Sequence, residues 1–249
     1  MKKFVLITGT SGGIGSAIVD VFLSNEYNVI GIDKIHSGRK IDNFIEIKTD
    51  LHELSKNKSY KEKKFKQIKD NLPNKLDHLV LINNAAVQIL KPVPNISIDH
   101  WDMTLSVNVV APFILAQGLI EELKHAKGHI INVSSIHSRL TKKDFTCYAA
   151  SKSALESLTR SLAIELSPKG ISVNAVSPSA ISTQMLLDGF KSSPNKLKGL
   201  NRYHPAGSIG SPEELAIFIK SITDQKGRFL TGSILEYSGG IGGCLHDPI

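Results

Sequence analysis

The chain is poor in the residues that mark specialised classes. It has two cysteines in 249 residues, Cys147 and Cys244, and neither belongs to a metal or redox motif. No His, Cys or carboxylate cluster has metal-ligand spacing, so no bound metal is expected. A disulfide scaffold is not expected either, and the thiols read as reduced, which predicts a cytoplasmic protein. Long apolar runs are also missing. The run after Lys3, Phe4 to Ile7, is too short for a secretory signal. No stretch elsewhere is long enough to span a bilayer, so no membrane partner is expected. There is no internal repeat and no low-complexity linker. Positive charge is in excess, at +7 net. Much of it lies in "SKNKSYKEKKFKQIKDNLPNK" (55–75), where Phe65, Ile68 and Leu72 recur at helical spacing. The lysines then form the solvated face of a surface helix. No nucleic-acid motif accompanies them, so nucleic acid is not expected as a partner.

Apolar, β-branched runs alternate with helical patterns along the whole chain. Strands are predicted at 4–9, 27–33, 43–50, 76–86, 128–135 and 171–179, with "SILEYSGG" as the last. Between them fall helices at about 14–25, over the lysine-rich stretch, at about 99–124, and from Tyr148 to a Pro168/Gly170 stop. "SPEELAIFIKSIT" is a further helix, with Ser211 and Glu214 in capping-box register and Pro212 at its first position. Such alternation means parallel strands joined by crossover helices. Near-continuous apolar strands fit a sheet covered on both faces. The fold class is α/β: a doubly wound domain with a central, mostly parallel sheet and helices on both faces, spanning 1–249 as one unit. One long segment, 182–210, lacks clear periodicity, and its length suggests a substrate lid. Met185, Leu186, Leu187 and Phe190 suggest a short amphipathic helix within it, and Lys191, Lys196, Lys198, Arg202 and His204 make it basic. Those charges favour a hydroxylated or anionic substrate, though a solvated outer face explains them as well.

"TGTSGGIG" (8–15) follows the first strand and opens the first helix. Gly9 permits a tight turn, Gly13 lets backbone approach a phosphate, and Gly15 lets helix and strand pack closely. Free N–H groups at the helix start then face an anion. Asp33 ends the second strand, where its carboxylate can accept hydrogen bonds from an adenosine ribose. The pattern is that of a Rossmann fold binding a nicotinamide dinucleotide. Asp33 repels a 2′-phosphate, and Thr10, Ser11 and Gly12 offer no base to welcome one. NAD is therefore expected over NADP, with Lys34 as the feature that argues the other way.

"YAASK" (148–152) places Tyr148 and Lys152 one helical turn apart. Packing plus a solvated charge would explain the pair. So would a proton donor with its tuner, because a nearby ammonium favours the phenolate and lowers the phenol's pKa from about 10. A tyrosine so tuned can give a proton to an alkoxide or take one from an alcohol. Other features favour the second account. Ser135 ends the fifth strand, at the sheet edge where ligands bind, and its hydroxyl can hold a substrate oxygen. Asn108, in "LSVNVVAPF", has an amide that could hold a water behind Lys152. "NNAA" (83–86) closes the fourth strand. His137 either reaches the pocket and meets a substrate hydroxyl or is an ordinary loop histidine; both readings stand. Cys147 reads as a helix-start residue.

Thr8–Gly15, Asn83–Ala86, Asn108, Ser135, Tyr148 and Lys152 together resemble the short-chain dehydrogenase/reductase family in its single-domain branch. "HPAGSIGSPEELA" and "LTGSILEYSGG" are similar to its closing segments, so the likeness spans essentially the whole chain. The resemblance implies an NAD(P)(H)-dependent oxidoreductase interconverting an alcohol and a carbonyl. It implies that Ser135 orients the carbonyl, Tyr148 is the acid/base, Lys152 tunes it and binds ribose, and Asn108 completes a proton relay. It favours Ser135 over Ser134. For the cofactor it implies Gly9, Ser11, Gly12, Gly13, Ile14, Gly15, Asp33, Leu51, Asn84, Ala85, Tyr148, Lys152 and Pro178, with Asp50 at the adenine and Thr183 at the carboxamide near Ile181. It implies a homotetramer or homodimer through helices about 99–124 and 148–167. Ala86, Ser179 and Ser238 stand where the family usually has Gly, Gly and Asp. The segments around Ser135 and Tyr148 resemble sugar (glucose-type) dehydrogenases, and the closing segments equally resemble 3-oxoacyl reductases. A catalytically silent nucleotide-binding protein on the same fold is the remaining alternative.

Overall fold

The computed structural model describes residues 2–184, 186–187, 194–225 and 227–244. Seven strands form one sheet in the order β3-β2-β1-β4-β5-β6-β7. They are β1 (Lys3–Thr8), β2 (Asn28–Asp33), β3 (Phe44–Lys48), β4 (His78–Asn83), β5 (His129–Val133), β6 (Ser172–Pro178) and β7 (Ile234–Tyr237). Every pairing is parallel, so the expected doubly wound sheet is present. Alternation along each strand feeds two cores. Leu6, Leu79, Leu81 and Ile130 face one, and Val5, Ile7, Val80, Ile82 and Ile131 face the other. Helices α1 (Gly13–Ser24) and α9 (Pro212–Thr223) cover the second face with Phe22, Leu215 and Ile219. On the first face lie α2 (Leu51–Lys56), α3 (Lys58–Asp70), α5 (Ala111–Gly118), α6 (Ile120–His125) and α7 (Thr146–Leu166). β1 sits between β2 and β4, so the chain reverses its winding there. The crevice at that reversal opens at the strands' C-terminal ends, beside Gly9 and Asn84.

Three expectations are refined. The lysine-rich region is two helices, broken at Asn57, which turns extended and caps α3 by accepting the Tyr60 N–H at 3.0 Å. The helix expected over 99–124 is α4 (Ile98–Leu105), a π-helical stretch over Ser106–Val110, then α5 and α6. Pro112 has no N–H, so the carbonyl of Asn108, four residues earlier, lacks its α-helical donor. Helices depart into π geometry at such places, often at functional sites. Finally, 182–210 is not without regular structure, because α8 (Pro194–Arg202) lies within it. Its two ends are tied. Ser182 N donates to Gly210 O at 2.8 Å, and Gly210 N donates to Ala180 O at 3.0 Å. Met185, Phe190 and Lys191 lie outside the described residues, as does the side chain of Lys196.

The opposite edge of the sheet holds a buried polar group of another kind. Tyr27 Oη and His78 Nδ1 are 2.7 Å apart, as are Ser172 Oγ and His129 Nδ1. The two imidazoles meet edge-on at 5.1 Å. Burial holds His129 down to about 4, helped by the neighbouring His78, which burial also lowers. In the unfolded chain these rings take protons near ~6.5. Acid therefore favours unfolding, and stability should fall as the pH drops from about 6.5 towards 4. Unfolding free energies from urea titrations at pH 7.5 and pH 4.5 should differ by an amount on the order of 2 kcal/mol, and His129→Gln should shrink the difference.

Candidate active site

The turn after β1 is built by glycines. Gly9 has φ +76°, a left-handed conformation that side chains disfavour. A Cβ on Gly15 would stand 1.9 Å from the Gly9 carbonyl oxygen, so only glycine lets α1 start this close to the turn. One on Gly13 would stand 3.0 Å from the Thr183 side chain, which brings the segment after β6 onto the loop. Thr8 and Asn84 fix the turn from the other side. Thr8 Oγ1 accepts the N–H groups of Asn84 and Ala85, each at 3.0 Å. Asn84 Nδ2 donates to the carbonyls of Thr8 and Gly9. The Asn84 amide thus shapes the loop itself. No side chain caps α1, so the first N–H groups of that helix, at Gly13 and Ile14, are left for an anion.

Asp33 stands beside this loop. Its two oxygens accept the N–H of Ser11 at 2.9 Å and of Ile35 at 3.1 Å. A carboxylate has about four acceptor positions, so capacity for two ribose hydroxyls remains. The residues therefore fit an adenine dinucleotide. Lys34 turns away: its Nζ pairs with Asp50 at 2.9 Å. Asp50 also caps α2 through the N–H of His52, with Leu51 buried next to it. A second cation, overlooked in the sequence, lies in the same region. Arg39 pairs with Asp20 and donates to Ser16 Oγ on α1. Its register six residues past Asp33 carries no motif that would have flagged it.

Tyr148 and Lys152 rise from the first turns of α7. The Ser135 hydroxyl lies near the Tyr148 phenol and favours its ionised form. Ser135 also accepts the N–H of His137 at 3.3 Å, which fixes the turn 136–138 that follows β5. Ser134 points elsewhere, donating to Glu156 at 2.8 Å. Lys152 is 2% exposed, its Nζ donates to the Val133 carbonyl at 2.7 Å, and it stands 5.6 Å from the centre of the Tyr148 ring. Burial pushes Lys152 down to about 8, against the pull of the Glu156 carboxylate. From the Tyr148–Lys152 spacing a lowered phenol is expected. In the protein alone burial dominates, and Tyr148 is raised, with only the Ser135 hydroxyl opposing.

Asn108 is joined to this group through the backbone of α7. Its Nδ2 donates to Val87 O and to Ser151 Oγ, both at 2.9 Å, and Ser151 Oγ donates to Tyr148 O. Its Oδ1 accepts the Val87 N–H at 2.8 Å. Both amide hydrogens are therefore occupied, so the amide could meet the expected water only through its oxygen. The main-chain carbonyl of Asn108 lacks its α-helical donor because Pro112 has no N–H, and it is a further acceptor at this place.

His137 faces the site. Its ring stacks on Phe145 with centres 4.1 Å apart and meets Tyr148 edge-on at 6.0 Å. Burial, and then Lys142, hold it down to about 4, so it is neutral at physiological pH. Cys147 is buried at the helix start and its thiol is raised by burial, as suits a packing residue. Pro178 and Ile181 are buried where β6 ends, before Thr183. Ser179, which departs from the family pattern, bonds His204 Nε2 at 3.0 Å. His204 Nδ1 lies 2.9 Å from the Leu200 carbonyl, so that nitrogen carries the hydrogen and Nε2 accepts from serine. His204 is buried, unlike the exposed Lys198 and Arg202, and anchors α8 to the end of β6. Among the described residues no helix is long and apolar enough to cross a membrane.

The family model for short chain dehydrogenase matches residues 3–192, and the chain belongs to that family. An uncharacterized oxidoreductase of Schizosaccharomyces pombe is 30% identical over 96% of this chain and 90% of its own. Glucose 1-dehydrogenase 2 of Bacillus subtilis is 27% identical over 96% and 94%. The solved structure of 4-hydroxyisoleucine dehydrogenase complexed with NADH superposes with a TM-score of 0.87 at 28% identity, covering 98% of this chain and 100% of that one.

Proposed function

We propose that the protein is an NAD-dependent alcohol dehydrogenase or carbonyl reductase in which Tyr148 is the acid/base. The observation that carries this reading is the buried Lys152 ammonium, 5.6 Å from the centre of the Tyr148 ring, with the Ser135 hydroxyl near the phenol. A substrate oxygen placed between the two hydroxyls would meet both. The nicotinamide, when bound, supplies or accepts the hydride. Ser135 holds the substrate oxygen, and Tyr148 donates to it or takes its proton. Lys152, with a value near 8, exchanges protons readily at neutral pH and donates to ribose. The Asn108 carbonyl would hold the water that links Lys152 to solvent.

Gly9, Ser11, Gly12, Gly13, Ile14 and Gly15 would cradle the phosphates, and Asp33 the adenosine ribose. Asp50 and Leu51 would meet the adenine; Ala85, Pro178, Ile181 and Thr183 would flank the nicotinamide half. NAD is favoured because the nearby cations already have partners: Lys34 is drawn to Asp50, and Arg39 to Asp20. A polar, hydroxylated substrate is favoured by the neutral His137 at the Tyr148 face, which can hydrogen-bond without bringing charge. The name of the Bacillus subtilis relative, a glucose dehydrogenase, points the same way. Val110 and Phe113 near α5 and Ile164 on α7 are exposed and apolar, which supports association through those helices as a homodimer or homotetramer.

Three outcomes are expected. Tyr148→Phe should bind cofactor within about threefold of the parent yet lose at least ~100-fold in turnover, followed by nicotinamide absorbance across a panel of sugars, polyols and secondary alcohols. Turnover near that of the parent would refute the assignment. In fluorescence titrations NAD should bind more tightly than NADP, and Asp33→Ala should narrow the gap; tighter NADP binding in the parent would contradict the role given to Asp33. The third concerns 182–210, read as a lid that closes over cofactor and substrate. Limited proteolysis should cut between about 185 and 205 in the free protein, and NAD with substrate should slow the cut. Equal resistance in both states would make the segment a fixed wall.

A further inference from the structure

Glu156 lies one turn beyond Lys152 on α7, and the sequence reading gave it no role. Its Oε1 accepts two hydroxyls, from Ser134 at 2.8 Å and from Ser138 at 2.5 Å. Those serines bracket Ser135, one on the strand side and one across the 136–138 turn. Ser153 Oγ, also on α7, donates to the Ser138 carbonyl, so the turn is tied to the helix at two points. Ser134 is buried, and Ser138 and Glu156 are half-buried. A neutral acceptor would make the same two hydrogen bonds. A carboxylate adds a charge, and it stands nearer Lys152, one turn away, than Tyr148, two turns away.

We propose that Glu156 is a positioning residue for the reaction: it holds the Ser134–Ser138 turn against α7 so that Ser135 stays beside Tyr148, and its carboxylate is the counter-charge one turn from Lys152. This rests on the alcohol–carbonyl reading above. The surroundings of Lys152 leave that second task to Glu156. On its own helix the neighbouring ionisable groups are Tyr148 and Glu156, and from the 136–138 turn comes the neutral His137. β6 and the Ser106–Val110 stretch have no ionisable side chain, and the one on β5, His129, stands at the far end of the strand. α4 carries Asp99, His100 and Asp102; Asp102 pairs with Lys56, and His100 closes the cap of its own helix. Burial drives Lys152 down, and the Glu156 carboxylate acts against it.

The test separates charge from hydrogen bonding. Glu156→Gln can still accept both serine hydroxyls but has no charge. Lys152 should then lose its proton at lower pH, and the alkaline limb of the kcat/KM profile should move down by about half a unit or more. The assay uses NAD and the alcohol that reduces it fastest in the panel above. Glu156→Ala also frees the turn, and it should lower kcat about tenfold while NAD binds as in the parent. Ser138→Ala, which leaves the carboxylate in place, should lower kcat without moving the limb. A Glu156→Gln profile that superimposes on the parent's, with Tyr148→Phe inactive, overturns the proposal alone. Full turnover in Tyr148→Phe overturns the underlying reading and the proposal with it.

Discussion

Lys152 carries an ammonium into the place where α7 crosses the end of β5, at 2% exposure. An unpaired charge there would cost several kcal/mol, so the surroundings must compensate it. The Val133 carbonyl does part of this at 2.7 Å, and the Glu156 carboxylate opposes the loss of the proton. Both partners are fixed by other tasks. Val133 is the last residue of β5, paired with Val176 of β6. Glu156 holds the serines on both sides of Ser135. The position of one buried charge therefore sets the distance between strand and helix, and with it the approach of Ser135 to Tyr148.

The same helix is held on its other side by a row of neutral hydrogen bonds. Asn83 donates to Asn132, and Asn132 donates to Thr159 on α7. Asn108 clamps Val87 and, through Ser151, the first turn of α7. These contacts join β4, β5 and the π-helical stretch to one helix. The Asn83–Asn132 and Asn132–Thr159 bonds are buried and those to Val87 and Tyr148 part-buried; hydrogen bonds so placed rigidify a core, although Asn83 Oδ1 is left without a partner. α7 is consequently fixed on all sides, which suits a helix that must hold a phenol to within a fraction of an ångström.

Much of this was legible in the sequence. The strands were found because parallel, doubly covered strands are runs of apolar residues, and nothing else in the chain imitates them. The glycine loop was legible because backbone geometry there excludes every side chain, as at Gly15. Ser135, Tyr148 and Lys152 do come together, and Ser134 turns instead to Glu156. What escaped has several causes. Asn57 breaks a helix through its own side chain, a local act hidden inside a strong lysine pattern. The π-helical stretch follows from Pro112, visible in the sequence but read as ordinary helix. α8 has an amphipathic pattern, masked by the glycine, serine and proline around it. His204 looked like one more basic loop residue because its two partners, Leu200 and Ser179, are defined only by the fold. Spacing likewise reveals the ammonium near Tyr148 but not the burial that raises its phenol in the protein alone.

The two edges of the sheet show why buried polar residues differ in meaning. At the N-terminal edge, Tyr27, His78, His129 and Ser172 bond one another side chain to side chain, and Lys220 lies over the Tyr27 ring while paired with Asp224. Their hydrogen bonds close within the group. At the C-terminal edge the arrangement is open. The start of α1 has no cap, Asp33 has acceptor positions beyond its two backbone donors, the Asn108 carbonyl lacks its α-helical donor, and the Ser135–Tyr148 pair faces His137 across half-buried space. Hydrogen-bonding capacity left open is costly only where water cannot reach it, and the start of α1 and Asp33 are exposed or half-exposed. The closed edge is thereby complete within the fold, whereas the open edge keeps donors and acceptors that water can fill and a ligand can take over. That contrast, more than any single residue, separates the candidate site from the structural edge.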